Sequence, residues 1–249
     1  MSHKRFLNIF FWLWLIIATF FLAKNCSRIF IGDWFPVNTT SMIPTIVPGD
    51  KIWVNKLIFG ARVYKNLDFL DGKPLKTFRV KGWRKIRRGD VVVFNAPIQR
   101  SGVDSIVFKI DYVFVKRCIG LPGDTVWIHK PVGQFNTLDS LSNVLGNSYY
   151  GMIHVPQKGD TICMNDSNIR LYLTVITYET VDSLPTDLHI FRSNYYFMCG
   201  DNTLHSFDSR YFGFVPEEFI IGVSRRVLFN NRDGLKQKVR GRRIFKRLT

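Results

Sequence analysis

The chain contains 249 residues, 46% of them hydrophobic, so it can form one substantial domain or a domain with an inserted lobe. Its 35 basic residues outnumber 19 acidic ones, and the net charge of +16 indicates an anionic neighbour such as a membrane surface. The four cysteines form no CxxC pair and the five histidines no HExxH pattern, which disfavours a metal enzyme, and we expect no cofactor.

An apolar stretch at the N-terminus predicts a membrane span. Phe6 to Ala23 comprises eighteen residues, of which only Asn8 and Thr19 are polar. As a helix it would cover about 27 Å, close to the thickness of the hydrocarbon layer. The alternative is a cleavable secretory signal, but Lys24 and Asn25 stand where small residues would precede a cleavage site. No second apolar run of this length follows, so we expect a single retained anchor.

The segment after the anchor carries aromatic residues and then a candidate nucleophile. Ile29 to Phe35 is typical either of an aromatic belt at the headgroup level or of a first β-strand. Ser41 lies in the stretch Asn38–Thr45, eighteen residues beyond Ala23. A serine hydroxyl is a poor nucleophile until a base takes its proton, and a serine beside threonines in a loop is usually a turn residue. Ser41 is therefore of interest only if a base lies nearby.

A recurring Gly-Asp pair introduces apolar runs along the rest of the chain. The pairs are Gly49-Asp50, Gly89-Asp90, Gly123-Asp124 and Gly159-Asp160, and β-branched or aromatic residues follow each one. Glycine supplies the unusual backbone angles of a turn and aspartate binds the backbone of its own turn. Because long helical periods are scarce after the anchor, we predict a mainly β fold with an antiparallel, barrel-like sheet.

The stretch from Val107 to Cys118 has the pattern of a strand that carries one charge on an apolar face. Side chains alternate between faces, so one side would carry Phe108, Ile110, Tyr112, Phe114, Lys116 and Cys118. An ammonium pressed against apolar groups loses hydration, and a drop of about 3 units in its pKa would make Lys116 a competent general base. The alternative is that Lys116 marks the strand end and extends to water.

Residues 129–194 are expected to form an inserted lobe. They include a polar patch at Leu138–Asn147 and runs that are typical of strands, such as Leu171 to Tyr178. We predict a β lobe and assign it no chemistry.

The C-terminal segment, 225–249, is strongly basic. It holds ten lysines and arginines and one acidic residue, Asp233. Such a run is usually a solvated tail. It could instead dock on anionic lipid headgroups, and nucleic acid is the least favoured partner.

Four motifs together resemble the bacterial type I signal peptidases, membrane-bound serine proteases with a Ser/Lys dyad that remove signal peptides from exported preproteins. The motifs, in the family's order, are Ser41-Met42 with Pro44-Thr45, Arg88 to Phe94, Lys116-Arg117 with Gly120 to Asp124, and Gly200-Asp201-Asn202 with Ser206 to Arg210. They span most of the chain from Thr39 to Gly222. The absence of GxSxG and SxxK disfavours an α/β hydrolase or a penicillin-binding enzyme.

The resemblance implies roles for individual residues. Ser41 would be the nucleophile and Lys116 the general base. The Ser41 N–H and the Thr39 hydroxyl would form the oxyanion hole, although many relatives carry serine at the position of Thr39. Ser206 would orient the lysine. His205, beside it, is the alternative base of a conventional triad, but this position varies in the family.

The resemblance also implies a supporting frame and a substrate pocket. Structural support would come from Arg117 with Asp201 and Asp208 with Arg210. The pocket would admit small side chains before the cut, with walls expected near Ile43, Ile46, Phe94 and Phe108.

The same resemblance implies the domain order and location. We expect a cytoplasmic segment at 1–5, the anchor at 6–23, catalytic parts at 24–128 and 195–224, and a variable loop or hairpin within Phe59–Lys85. The catalytic domain would lie on the extracytoplasmic side, in contact with preproteins and membrane lipids and without nucleic acid. The oligomeric state stays open, with a monomer favoured. In an oxidising compartment a disulfide is possible, but no pair is indicated.

Two other classes of protein compete with this interpretation. A noncatalytic, membrane-tethered β module would suit the basic tail, but it would not need Ser41, Lys116 and Ser206 together. A Ser/Lys protease that cuts itself or a regulator shares the chemistry, but such proteins are soluble, whereas this chain begins with an apolar anchor.

Overall fold

A computed structural model describes residues 3–65, 74–100, 103–129, 150–165, 169–180, 188–231 and 243–248. The N-terminal half of the described chain contains α1 (His3–Phe30), β1 (Gly32–Val37), β2 (Asp50–Asn55), β3 (Arg62–Tyr64), β4 (Thr77–Arg79), β5 (Val91–Asn95), β6 (Ile98–Arg100), β7 (Val103–Val107), β8 (Val113–Gly120) and β9 (Thr125–His129). The remainder contains β10 (Tyr150–His154), β11 (Thr161–Cys163), α2 (Ile169–Thr180), β12 (Leu188–Ile190), β13 (Tyr195–Cys199), α3 (Ser209–Phe212), β14 (Val215–Pro216) and β15 (Ile220–Asn230).

The predicted mainly β fold is confirmed. Seven strands form one sheet in the order β1-β2-β15-β5-β8-β13-β14, which curls into a half-barrel, and its strands pair antiparallel. Among the described residues, four two-stranded ladders accompany it, and the pair β3–β4 lies within Phe59–Lys85, where a loop or hairpin is expected. Both faces of the main sheet are buried: Val92 and Phe94 belong to one apolar cluster, and Val91 and Val93 to the other.

The Gly-Asp pairs form four turns of the same design. Each glycine has a positive φ, between 85° and 92°, which residues with a side chain rarely adopt. Each aspartate accepts a hydrogen bond from the backbone N–H three residues earlier, at 2.7 to 2.9 Å. These turns lead into β2, β5, β9 and β11, as predicted.

The N-terminal helix is longer than expected. By length and composition alone, Leu7–Phe30 could cross a membrane, with a mean hydropathy of 1.9, and no part of its most apolar window is buried in the structure. The helix therefore runs past the predicted end at Ala23, and β1 begins at Gly32, which favours the strand over the aromatic belt for most of Ile29–Phe35. The Lys56 ammonium donates to the Arg28 carbonyl at 2.7 Å and ties the helix end to the domain.

The predicted single strand from Val107 to Cys118 is two strands. β7 ends at Val107 and β8 begins at Val113, because the intervening residues form a turn. The Asn95 side-chain amide donates to the carbonyls of Lys109 and Ile110 and fixes this turn. Within β8 the expected alternation holds, since Lys116, Cys118 and Gly120 are buried.

The inserted lobe differs from the prediction in its secondary structure. Leu171 to Tyr178, expected as a strand, lies in α2, which packs against β7. Its buried apolar residues Leu171, Tyr172, Val175 and Ile176 do recur at a helical spacing, so the strand prediction gave too much weight to their β-branched and aromatic composition. The boundary expected at residue 129 cuts the ladder between β9 and β10, and the polar patch Leu138–Asn147 lies outside the described residues.

The described part of the C-terminal segment is packed rather than solvated. β15 crosses the boundary expected at residue 225 and runs to Asn230 between β2 and β5. Residues 243–248 return to this strand, where Leu248 is buried and the Arg243 guanidinium binds the buried carboxylate of Asp50. The expected tail is therefore, in its described residues, a component of the sheet and its core.

Candidate active site

Ser41 is held at the start of a tight turn between β1 and β2. The Ile46 N–H donates to the Met42 carbonyl at 2.9 Å, and both side chains are fully buried in the second apolar cluster. Ser41 immediately precedes Met42 and is 8% exposed. Burial of Met42 and Ile46 therefore fixes the serine at the edge of the core.

Lys116 meets Ser41 from the central part of the sheet. It lies on β8, it is 4% exposed, and its ammonium nitrogen is 2.7 Å from the Ser41 hydroxyl oxygen. Burial lowers the pKa of Lys116 to about 8, although the carboxylate of Asp208 acts in the opposite direction. At pH 7 such an amine is uncharged in about a tenth of the molecules, compared with far fewer than one in a hundred for an ordinary lysine.

Two donors for a developing negative charge lie beside this pair. The Thr39 hydroxyl oxygen is 3.4 Å from the Ser41 hydroxyl oxygen. The Ser41 N–H donates to no group in the described part of the chain. Both groups are therefore available to a ligand atom next to the serine.

Ser206 lies close to the pair but does not make the predicted bond. Its hydroxyl is fully buried and, among the described residues, has no hydrogen-bond partner, so no bond to Lys116 is present. Gly200 separates it from the Ser41 backbone: a Cβ at Gly200 would lie 2.1 Å from the Ser206 hydroxyl oxygen and 2.5 Å from the Ser41 carbonyl oxygen. Only glycine fits this position without displacing the serine turn.

Arg117 and Asp201 connect the lysine strand to the serine turn. Two guanidinium nitrogens of Arg117 each donate to Asp201 at 2.7 Å, and a third donates to the Gly89 carbonyl. Burial alone would raise the pKa of Asp201, but hydrogen bonds from Arg117 and Thr45 outweigh it and lower the pKa. The next residue, Asn202, donates its N–H to the Ser41 carbonyl at 3.0 Å.

Asp208 and Arg210 form the second predicted support. Their buried side chains pair at 2.8 Å, and Asp208 also accepts the N–H of Gly200 at 2.9 Å. The Arg210 guanidinium extends the network to the carbonyl of Thr203. This pair therefore sets the path of the loop that carries Gly200 and Ser206.

The cleft beside the serine is lined by different residues from those predicted. It has a volume of about 420 Å³, and its walls are formed by residues 36–41 and 112–116 with His205 and Phe207. None of the four predicted residues lines it: Ile46 and Phe94 are fully buried, Phe108 is 8% exposed, and Ile43 is partly buried outside the cleft. Phe94 instead packs behind the wall residue Phe114, with ring centres 6.3 Å apart.

One wall of the cleft is an open strand edge. β13 pairs with β8 only at Arg117, Cys118 and Gly120. In the described part of the chain, no strand pairs with Val113–Lys116 on the side away from β5. Backbone groups of that edge are therefore available to an extended peptide.

The other polar candidates do not join the pair. His205 is exposed at the cleft, and the bond to the Ser41 hydroxyl comes from Lys116. No disulfide joins any two of the four cysteines. Within the described ranges, no group of three or more His, Cys, Asp or Glu residues is arranged to hold a metal ion.

Comparison with known proteins assigns the family. Residues 9–229 match the family described as "Signal peptidase, peptidase S26". A protein named Signal peptidase I from Buchnera aphidicola subsp. Schizaphis graminum is 27% identical over 247 residues, which cover 85% of this chain and 72% of that protein. Another of that name, from Rickettsia typhi, is 32% identical over 216 residues, which cover 82% of this chain and 75% of its own length. The chain thus belongs to the signal peptidase family, peptidase S26, and is a serine peptidase.

Proposed function

We propose that this protein removes signal peptides from exported preproteins with a catalytic dyad of Ser41 and Lys116. The observation that carries the proposal is the 2.7 Å contact between the Lys116 nitrogen and the Ser41 hydroxyl at a site where both residues are buried. The family membership and the names of the relatives support the same reaction.

The dyad performs acyl transfer in two stages. Neutral Lys116 takes the proton of Ser41 while the hydroxyl oxygen attacks the carbonyl carbon of the scissile peptide bond. The resulting ammonium then gives this proton to the leaving amine nitrogen, the C–N bond breaks, and an ester of Ser41 remains. Lys116, neutral again, takes a proton from a water molecule while the water oxygen attacks the ester carbonyl carbon. The bond from that carbon to the Ser41 oxygen then breaks, the Lys116 ammonium returns its proton to the Ser41 oxygen, and the signal peptide leaves with a free carboxyl group.

The tetrahedral oxyanion of each stage is bound by the Ser41 N–H and the Thr39 hydroxyl. Removing one such donor typically costs about 3 kcal/mol of transition-state stabilisation. The availability of the Ser41 N–H and the position of Thr39, 3.4 Å from the serine hydroxyl, support these roles.

The substrate binds in the cleft as an extended strand. The free edge of Val113–Lys116 supplies backbone hydrogen bonds, and the opposite wall at residues 36–41 carries the nucleophile. Phe114 and Val115 narrow the cleft, so small side chains before the cut are accepted and bulky ones are rejected by overlap.

The N-terminal helix anchors the enzyme in the cytoplasmic membrane with its domain on the extracytoplasmic side. The short connection from Phe30 to Ser41 keeps the nucleophile close to the lipid surface, where a membrane-inserted signal peptide presents its cleavage site.

Cleavage of a preprotein by the purified chain in detergent tests the proposal. The substrate carries alanine at the first and third positions before the cut, and its processing is followed by gel mobility and by mass spectrometry of the new N-terminus. We expect Ser41→Ala to abolish cleavage without unfolding the protein, and tryptophan at the first position of the substrate to abolish it with the native enzyme. Cleavage that persists in Ser41→Ala would refute the proposal.

A further inference from the structure

A second cavity, separate from the dyad, is lined by arginines. It has a volume of about 580 Å³ and lies where the turn before β5 meets β15 and the returning C-terminal residues. Six arginines line it: Arg84, Arg87, Arg88, Arg225, Arg226 and Arg247. Among the described residues of the lining, Asp90 is the only acidic one.

Most of this positive charge has no carboxylate partner. Arg84 pairs with Asp90 at 2.7 Å and Arg88 with Asp124 at 2.8 Å. The remaining four arginines of the lining are exposed and form no ion pair with a carboxylate in the described part of the chain. The cavity therefore has several guanidinium groups available to an external anion.

The local fold does not require these arginines. Arg87 and Arg88 occupy the first two positions of one of the four Gly-Asp turns, and the other three turns adopt the same hydrogen-bond pattern with Val47-Pro48, Leu121-Pro122 and Gln157-Lys158. The turn geometry thus accepts apolar or uncharged residues at both positions, so it does not explain the two positive charges.

The C-terminal return brings like charges together. Arg226 and Arg247 are direct partners in an antiparallel bridge. The segment is held there by the buried pair of Arg243 with Asp50 and by backbone bonds from Leu248 to Arg225 and from Val227 to Lys246. Like charges directly opposite in a ladder are unfavourable, and a bound anion would remove this repulsion.

The lining also includes Ser224, whose hydroxyl is enclosed by the protein and is therefore not a donor to a molecule in the cavity. The Ser224 hydroxyl is buried, with the residue 1% exposed, and makes no hydrogen bond in the described structure. Gly89, also in the lining, leaves open space, since a Cβ there would meet no atom within 4 Å. Guanidinium groups along an open cavity are suited to a tetrahedral oxyanion, which they bind through paired hydrogen bonds.

We propose that this arginine cavity is a binding site for a phosphate-bearing anion, either an anionic lipid headgroup or a soluble phosphate. The site is distinct from the dyad, and its occupancy does not depend on the peptidase mechanism.

Ligand titration of the full-length protein in neutral detergent tests this site. Two probes are titrated by calorimetry, inorganic pyrophosphate and a short-chain soluble phosphatidylglycerol, with phosphatidylcholine of equal chain length as the zwitterionic control. The test variant carries Arg87→Gln, Arg226→Gln and Arg247→Gln. The matched control carries Lys76→Gln, Lys81→Gln and Lys158→Gln, which remove the same charge from exposed positions outside the cavity. A third variant replaces the three arginines with lysine.

We expect the native protein to bind at least one probe, and the arginine-to-glutamine variant to bind it at least about tenfold more weakly. The lysine control should bind as the native protein does. The arginine-to-lysine variant should also bind weakly, because an ammonium lacks the planar pair of donors. Binding of pyrophosphate alone identifies a soluble phosphate, and binding of phosphatidylglycerol identifies a headgroup.

Three results would overturn the site: neither probe binds the native protein, the two glutamine variants weaken binding equally, or the arginine-to-lysine variant binds like the native protein. Thermal melting without ligand checks folding. The arginine-to-glutamine variant should melt no earlier than the native protein, since it removes only exposed like charges.

Discussion

At the scale of single residues, the geometry of the proposed dyad depends on a glycine. Gly200 occupies the space between the Ser41 carbonyl and the Ser206 hydroxyl, and its own N–H is bound by Asp208. A backbone carbonyl cannot rotate away as a side chain can. The position of Ser41 therefore depends on the absence of a side chain at Gly200, which lies far from it in the sequence.

We predict that Gly200→Ala lowers both stability and activity. The added methyl group overlaps the Ser41 carbonyl, so the free energy of unfolding should fall by about 1 to 3 kcal/mol and kcat by more than about tenfold. Denaturant unfolding and preprotein cleavage measure the two effects. Gly159→Ala is the control, because its strain comes from a φ of 92° in open space far from the dyad, and it should reduce stability but not kcat. Unchanged cleavage in Gly200→Ala would contradict the coupling.

For Ser206→Ala we predict a different combination, in which stability is retained and activity falls. Its buried hydroxyl has no partner, so Ser206→Ala should leave the free energy of unfolding within about 0.5 kcal/mol of the native value or raise it. If the hydroxyl binds the lysine only when substrate is present, kcat should fall by about tenfold while KM changes little. Steady-state kinetics on the preprotein separates the two constants. A native kcat in this variant would remove Ser206 from the mechanism.

At the scale of elements, the sequence predicted those features that depend on local chemistry. The four Gly-Asp turns were predictable because glycine and aspartate each have a specific backbone role in such a turn. The inward direction of Lys116 followed from alternation within β8. The strand expected at Leu171–Tyr178 was wrong because a helix that is buried around most of its surface can have the composition of a strand.

The cleft could not be predicted from the sequence because it depends on which strand edges remain unpaired. Phe94 and Phe114 are opposite each other in adjacent strands, yet only Phe114 reaches the cleft. The difference arises from the partial pairing of β13 with β8, which is a tertiary property. The packing of residues 243–248 against β15 could not be predicted either, because their basic composition is typical of a solvated tail.

This C-terminal return should stabilise the serine turn. Arg243 binds the buried Asp50, and both Arg243 and Lys246 donate to the Thr45 carbonyl, four residues after Ser41. We predict that Arg243→Ala lowers the free energy of unfolding by about 3 to 5 kcal/mol, because it leaves a buried carboxylate without its partner. Thermal and denaturant melting measure the loss.

A surface ion pair supplies the control for that experiment. Arg88→Ala removes the partner of Asp124, but the Arg88 side chain is 61% exposed, so the melting temperature should stay close to that of the native protein. The double variant Asp50→Asn with Arg243→Met should recover part of the loss. If Arg243→Ala and Arg88→Ala changed stability equally, the pair of Arg243 with Asp50 would not be what stabilises the turn.

At the scale of the whole molecule, the N-terminal helix lies outside the apolar cores of the β domain in the described chain. No residue of α1 belongs to either apolar cluster of the described chain, and the most apolar part of the helix is not covered by other residues. The helix therefore positions the domain and adds little to its core.

Deletion of residues 1–30 should leave a folded peptidase. We expect the shortened protein to cleave a short soluble peptide within about twofold of the native kcat/KM, and to lose at least about a hundredfold in rate on a preprotein embedded in vesicles, because the anchor confines enzyme and substrate to one surface. Parallel assays on the soluble peptide and on the vesicle-embedded preprotein measure the two losses of activity. An equal loss on both substrates would mean that α1 supports the active site itself.

The proposed mechanism requires an uncharged Lys116 amine next to Ser41, and the pH dependence of kcat/KM measures this protonation state most directly. Because burial lowers the pKa of Lys116 to about 8, the base is protonated and inactive in acid, and kcat/KM should rise with pH to half of its maximum near that value. Lys116→Met should show no cleavage at any pH at which the protein stays folded. A profile that is flat through this range, or that rises only near the pKa of an ordinary lysine, would contradict the mechanism.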